Sequence, residues 1–427
     1  MTMYAEKGGQ DLAISDAELK EMIAGALKKI GDNFKKVLLI PPDFTRFNSY
    51  AGPITAMVYA MLEEQAEIKI IPALGTHVAM TEEEIRAMFG PDIPSDKFVV
   101  HDWRNDVVSK GVIPGETIKA WSEGKVDYPV NCEINKIVFE GFDLILSIGQ
   151  IVPHEVVGMA NYTKNLMVGI GGSDMINKSH FLGAAVNMER IMGKADSAVR
   201  KLFNYGVQTY LSDLPIYYML TVMARNDSTG SMEMRGFFCG DDDECFLKGV
   251  KLSQQTNLEL LEEQLDKVIV FLDPEEFKST WLGNKAVYRT RMAIADGGEL
   301  IVLAPALREF GEDREIDRLI RKYGYRGTPA TLKAVKENPE LAANLGAAAH
   351  LIHGSSEGRF KITYCPGPNI SRDEIESVGF KFGNLEAIMQ KYSVEHLKDG
   401  YNIINGEKIF YISNPALGLW AFKDNFK

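Results

Sequence analysis

Four short segments of this chain gather side chains that do chemistry. In Pro41-Pro42-Asp43-Phe44-Thr45-Arg46, two prolines stiffen the exit from an apolar run, and an acid, a hydroxyl and a guanidinium follow together. An arginine so placed suits two-point capture of a carboxylate or phosphate; a local Asp–Arg pair in a solvated turn is the alternative. Leu74-Gly75-Thr76-His77 presents an imidazole, a group that gives or takes a proton near neutral pH, unless a loop carbonyl merely holds it. The third segment is the densest. His154 ends Gly149-Gln150-Ile151-Val152-Pro153-His154, and Gly158, Asn161, Lys164, Gly169, Gly171, Gly172 and His180 follow. Glycines let backbone N–H groups approach an anion closely. Lys164 stands among Leu166, Met167 and Val168, so partial burial should lower its pKa and leave the amine nucleophilic. The spacing fits no HExxH zinc motif; without catalysis, the segment reads as a basic phosphate-binding loop. In the fourth, Glu312 to Lys322, Arg318 and Arg321 are three apart and share a helix face. They could hold a substrate carboxylate, although the run alone reads as a salt-bridged, solvated face.

Regular elements must position these loops. Ser15 and Glu18 form a capping box ahead of Leu19, Met22, Ile23, Ala26, Leu27 and Ile30, which repeat at helical spacing until Gly31. Val37–Ile40 is a short apolar run, the mark of a strand covered on both faces. Ile54 to Leu62 makes a helix, Ile68–Ile71 a strand, and Thr81 with Glu84 caps a helix reaching Phe89. Phe98–Val100, Lys136–Phe139 and Leu144–Ile148 read as further strands. An acidic stretch, Gly240 to Glu244, interrupts the alternation, and Asn257–Leu265 is helix-like. A second series follows: Val268–Leu272, Leu300–Ala304, a helix around Ile316–Tyr323, Ile362–Tyr364 and Ile409–Ile412. Alternating strands and helices predict the α/β class. The expectation is two α/β domains, residues 1–265 and 266–427, with mainly parallel sheets and an active-site cleft between them, the carboxyl terminus being free to pack back on the first. In such sheets ligands gather at the carboxyl ends of the strands, where all four segments fall.

A chain of 427 residues with 45% apolar and 25% charged residues can bury a sizeable core. Its net charge of −12 argues against non-specific binding to nucleic acid or to anionic membrane. Cys132, Cys239, Cys245 and Cys365 form no C-x-x-C pair, and no signal-like or membrane-length apolar run occurs. A cytoplasmic protein is expected.

As an ordered set, the segments resemble the nickel-pincer lactate racemase family from about Val37 to His180. The family's Asp-x-Thr-Arg stands here as Asp43 to Arg46 and its Leu-Gly-Thr-His as Leu74 to His77. Its Pro-His, then Lys, then His stands as Pro153-His154, Lys164 and His180. The resemblance implies a cofactor, the pyridinium-3,5-bisthiocarboxylic acid mononucleotide carrying nickel, made by dedicated cofactor-synthesis enzymes and held covalently by Lys164. His180 would be the metal ligand, and His77 and His154 the acid/base pair. Arg46 would bind the substrate carboxylate with Asp43 orienting the group, while Thr45, Gly158 and Gly169 would line the cofactor. Aligning the second half puts Arg321, with Arg318 before it, where the family has a substrate-binding lysine. One departure stands out. Where the family has Ser-Gly-Gly before the lysine, this chain has Ala160-Asn161-Tyr162-Thr163. Tyr162 is therefore expected to touch the substrate, and a small anionic 2-hydroxy acid other than lactate is expected as that substrate.

The chemistry suits these groups. A C–H beside a carboxylate is a poor acid, whereas loss of hydride leaves a stable 2-keto acid and needs an acceptor, which a cofactor supplies. Return to the opposite face inverts C2, and a histidine on each side can manage the hydroxyl proton. Two other readings use the same residues: a non-catalytic binder of a phosphorylated nucleotide, and a zinc hydrolase with His77, His154 and His180 as ligands.

Overall fold

The computed structural model describes residues 2–226, 229–416 and 418–426. It forms two compact units, Met1–Leu182 with Ile191–Asn257, and Gly183–Arg190 with Leu258–Lys427. The division thus falls a few residues before the expected 265, and a short internal segment belongs with the second unit.

The first unit is built on a six-stranded sheet in the spatial order Met3–Gly8, Met232–Gly240, Ile216–Arg225, Leu144–Gln150, Lys36–Ile40 and Glu67–Ile70. The last four strands run parallel, and the first two add antiparallel. Val37, Leu38, Leu39 and Ile40 are wholly buried, as an apolar run at the middle of a covered sheet requires. Helix Asp16–Ile30 opens with the expected reciprocal Ser15–Glu18 box and buries Leu19, Ile23, Ala26 and Leu27. Those residues join Ile54, Val58 and the sheet's Leu146 and Ile148 in one core.

From the carboxyl end of Lys36–Ile40 the chain crosses to Glu67–Ile70 on one side. From Leu144–Gln150 it crosses to Ile216–Arg225 on the other. Between these two neighbours the connections diverge, which opens a crevice beyond their carboxyl ends. The loops beginning at Pro41 and Ile151 both start there.

The second unit carries a sheet in the order Lys381–Phe382, Lys361–Pro366, Ile294–Ala304, Leu265–Phe271, Glu407–Ile412 and Gly400–Ile404, parallel but for the last pair. The α/β class with mainly parallel sheets is therefore what the chain adopts.

Several local expectations fail for identifiable reasons. Lys136–Phe139 is a single helical turn, because the Asn135 side chain caps it by accepting from the Ile137 N–H. The strand lies just before it, at Val130–Asn135, paired with Val107–Ile113. Of Phe98–Val100 only Phe98 bridges the sheet, at Ile70. The acidic stretch near 240 is a helix start, Asp242 capping Asp243–Thr256. After that helix, the helix-like Asn257–Leu265 instead contains the strand Glu259–Leu261, which pairs with Trp420–Phe422. That pairing also keeps the carboxyl-terminal tail within the second unit.

Candidate active site

Asp43 is the first group past the central strand and is almost fully buried. Its carboxylate accepts from the Thr45 hydroxyl at 2.5 Å and lies 2.6 Å from Nδ1 of His77. Burial pushes the Asp43 carboxyl up, but the bonds from His77 and Thr45 and the charge of Arg46 outweigh it and leave it below its ordinary value. An ionised Asp43 can only accept, so Nδ1 of His77 carries the proton and Nε2 keeps a lone pair. His77 itself ends a turn closed by its N–H on the Leu74 carbonyl, and its ring is largely exposed. Thr45 therefore orients Asp43, a role its expected place in the cofactor lining did not include. Arg46 is exposed, and among the described residues it has no ion-pair partner.

His154 sits on a two-residue strand, Pro153–His154, that pairs with Gly158–Met159. The Val156 N–H donates to its Nδ1 at 3.1 Å. Neutral His154 consequently carries its proton on Nε2, the opposite tautomer to His77. Its pKa lies well below the ordinary value. Burial is the main cause; Glu155 opposes it, and the positive charges of Lys164 and Arg46 and the nearby His180 reinforce it.

Lys164 follows a bend in which Asn161 and Tyr162 both have positive φ, 62° and 58°. A buried π-helical turn, Asn165–Gly169, comes directly after it. Side chains on both sides pin the lysine. Asn165 donates to the Ile40 carbonyl at 2.9 Å and to the Ser147 hydroxyl at 3.1 Å, tying the turn to both central strands. The Thr163 hydroxyl donates to Asn204 and accepts from Arg200. Burial first, and then Arg46, lower the Lys164 pKa to about 8, so an appreciable neutral, nucleophilic fraction exists near physiological pH.

His180 lies on helix Ser173–Ala185. Its Nδ1 is 2.7 Å from the carbonyl of Ile176. A carbonyl only accepts, so Nδ1 bears the proton and Nε2 is left as a lone-pair donor. Burial lowers the His180 pKa, the Ile176 bond opposes, and Lys164 adds to the fall. The charge of Lys164 thus lowers the pKa of His154 and of His180, Arg46 lowers those of Lys164 and His154, and Asp43, bonded to His77, acts on Lys164 as well.

Other expected site residues have different surroundings. Gly158 has φ +91°, and a Cβ there would stand 2.2 Å from the Lys194 carbonyl oxygen. At Gly169 a Cβ would lie 2.6 Å from that of Ala73. Close packing of loop on loop accounts for both glycines. Tyr162 is 5% exposed and stacks on Phe246 at 5.0 Å, beside Tyr218 at 4.3 Å. Packing thus accounts for Tyr162 without a ligand. Arg318 is paired with Glu315 and Glu340, and Arg321 with Asp317 and Glu374, on helix Arg314–Tyr323 of the second unit. Their guanidinium forks are taken up there by carboxylates, as a solvated face would have it.

Two positioning residues were not singled out from sequence as such. His101 is buried, donates from Nε2 to the Gly171 carbonyl at 3.1 Å and accepts from Asn135, which anchors the loop after Lys164. Its only sequence signal was a place after an expected strand. Arg200 carried no signal at all, since nothing in its neighbourhood marks an arginine for burial.

The residues fit a nucleotide-borne nickel centre in three respects. Lys164 offers a partly neutral amine for covalent attachment. His180 offers one imidazole with its outer nitrogen fixed, as metal-bound histidines generally have. Among the described residues no group of three or more His, Cys, Asp or Glu is placed to hold a metal, so a metal held there would have to bring most of its donors with it. The same observation counts against a zinc site made of His77, His154 and His180. Among the described residues no helix is long and apolar enough to cross a membrane.

The chain is similar to known proteins in sequence and in fold. Residues 3–193 match the lactate racemase N-terminal domain family. The chain is 31% identical over 163 residues to lactate racemase from Thermoanaerobacterium thermosaccharolyticum, an alignment covering 36% of this chain and 34% of that protein, so about a third of the relative is spanned. Its fold is similar to a crystal structure of a protein from Thermotoga maritima, with TM-score 0.77 and 21% identity over 98% of this chain and all of that one. It is also similar to the lactate racemase apoprotein of T. thermosaccharolyticum, with TM-score 0.70 and 18% identity over 97% and 94%.

Proposed function

We propose that this chain, whose residues 3–193 match the lactate racemase N-terminal domain, is an isomerase of lactate-racemase type that inverts C2 of a small 2-hydroxy acid; the 31% identity to a lactate racemase over 163 residues supports the reading. The observation that carries the reading is the set of charges around the Lys164 amine, with tautomers set by the backbone and by Asp43. When bound, a nickel-bearing pyridinium nucleotide would supply the acceptor and donor of hydride at C2. Lys164 would hold that group covalently, and the free Nε2 of His180 would reach the metal.

The chain's own residues have distinct tasks. Arg46 would bind the substrate carboxylate through its unpaired fork. His77, with Nε2 unprotonated and Asp43 behind it, is set to take the hydroxyl proton of one enantiomer. His154, neutral with its proton on Nε2, would hydrogen-bond the same oxygen, and it would serve as acid for the other enantiomer only as the imidazolium, since a neutral ring that gave up its proton would be left an imidazolate. In the reverse direction the two would exchange protonation states. A pair of histidines suits a reversible inversion; a nucleotide carrier would have no use for both.

Lactate is not proposed as the substrate. The bend Ala160–Thr163 is where this chain departs from the family signature, and it directly precedes Lys164. A different 2-hydroxy acid, with enzymes of cofactor synthesis as the upstream partners, is the proposal. Its test is a panel of single-enantiomer 2-hydroxy acids, incubated with chain co-produced with cofactor-synthesis enzymes and nickel, and followed by chiral chromatography. Inversion of at least one acid is expected. An intact mass without an adduct on Lys164 would defeat the cofactor assignment, and an adduct without any inversion would defeat the racemase reading.

A further inference from the structure

Arg200 is 3% exposed and stands at the start of helix Ala198–Tyr210. The Ser197 hydroxyl fixes its backbone, accepting from the Arg200 N–H at 2.9 Å while donating to the Val157 carbonyl. Its guanidinium donates from Nη1 to the Asn161 carbonyl at 3.2 Å and to the Thr163 hydroxyl at 2.8 Å, and from Nη2 to the Met159 carbonyl at 2.6 Å. The charged carbon lies 4.4 Å from the centre of the Phe246 ring. Nε is buried without a hydrogen-bond partner, and among the described residues Arg200 has no ion-pair partner.

A buried cation without a counterion is costly, and an apolar residue would fill this space with less penalty. The three acceptors explain what the fork does there. They span the two consecutive non-glycine residues at positive φ, Asn161 and Tyr162, a conformation that side chains with a Cβ avoid unless the surroundings impose it. Lys164 begins two residues later. We propose that Arg200 is a positioning residue for Lys164: its three-point grip holds the strained bend that sets the lysine amine among the site's charges.

Lys164 is faced by Arg46 and Asp43 from the loop after Lys36–Ile40, by His154 and Glu155 from the hairpin, by His180 from Ser173–Ala185, and by Arg200 from Ala198–Tyr210. Releasing the bend would let the amine move toward water and would weaken the burial that depresses its pKa. The importance of this rests on reading Lys164 as the cofactor anchor, but its test does not.

Unloaded protein is acetylated with an N-hydroxysuccinimide ester across a pH series, and labelled Lys164 is measured by peptide mass spectrometry against exposed Lys361. The wild-type midpoint is expected near 8. Arg200→Met should raise it by about one unit and cut labelling at neutral pH by about tenfold. Arg200→Lys, which returns a cation without the fork, should recover less than half of the shift. A folded Arg200→Met with an unmoved midpoint overturns the proposal, as does full recovery in Arg200→Lys, which would mean that charge alone suffices. Should Arg200→Met fail to fold, Thr163→Val removes one acceptor at nearly constant shape; an upward shift supports the grip, and none overturns it. A Lys164 adduct in loaded protein, with no shift here, would sink only this inference; a shift without an adduct would sink only the proposed function.

Discussion

Replacing Lys164 by methionine should stabilise the first unit. Burial, then the charge of Arg46, bring the amine from an ordinary 10.5 to about 8 in the folded chain. With the folded-state value below the unfolded one, the unfolded chain binds more protons between the two, and stability rises with pH across that window. Below about pH 8 both states are protonated and the full penalty applies: some 2.5 units at about 1.4 kcal/mol each, or about 3 kcal/mol. Above about pH 10.5 the charge is gone from both states and the penalty vanishes. Methionine keeps the apolar stem and removes the ammonium. Lys164→Met should therefore gain about 3 kcal/mol at pH 7 and less than about 1 kcal/mol at pH 10.5. Unloaded protein would be titrated with urea at both pH values, with pulsed amide deuteration read on the peptide containing Leu144–Gln150. A variant no more stable than wild type at pH 7 would refute the reasoning. So would an equal gain at both pH values, since it would trace to packing and not to charge. The expected result also implies that the native lysine is kept at a cost to stability, as functional groups often are.

Asp43→Asn keeps the shape beside His77 and removes the charge that fixes its Nδ1–H; a charge-assisted bond of about 1.5–3 kcal/mol translates into a loss of roughly 10- to 150-fold in kcat/KM of the loaded enzyme. Nitrogen NMR of His77 should show the Nδ1–H tautomer in wild type and a mixture in the variant, and unchanged spectra would remove Asp43 from its role. His180→Ala should load the nucleotide on Lys164 but lose the metal, read as nickel per chain by elemental mass spectrometry; full stoichiometry would mean that another group is the ligand. In the second unit, Glu189 accepts from Arg291 and Arg359, and Arg291 is 1% exposed. Glu189→Ala strands that charge, so a loss of about 3 kcal/mol is expected in urea unfolding; a change below about 0.5 kcal/mol would show the pair to be solvent-relaxed.

Much of the framework was legible because its signals are local. Val37–Ile40 reads as a covered strand from four adjacent apolar residues, and Ser15 with Glu18 marks a helix start from a spacing of three; the structure has both. The site loops were legible for a related reason. Asp43-Phe44-Thr45-Arg46 and Leu74 to His77 follow strands directly, and the carboxyl ends of parallel strands are where such folds collect functional groups.

Where a residue's role depends on a distant partner, the chain could not announce it. Asn257–Leu265 has a helical pattern, but part of it pairs with Trp420–Phe422, some 160 residues away. Tyr162 lies in a loop expected to touch ligand, yet Tyr218 and Phe246 enclose its ring. Arg318 and Arg321 share a helix face as spacing requires, but only the positions of Glu340 and Glu374 decide that their charges are taken. The identities of the histidines were written in the sequence, whereas their protonation was not. Which nitrogen of residues 77, 154 and 180 holds a hydrogen follows from a carboxylate, an amide and a carbonyl. Those partners come within reach only when the sheet orders its strands and the helix turns once, because a hydrogen bond acts over about 3 Å and carries no trace along the chain.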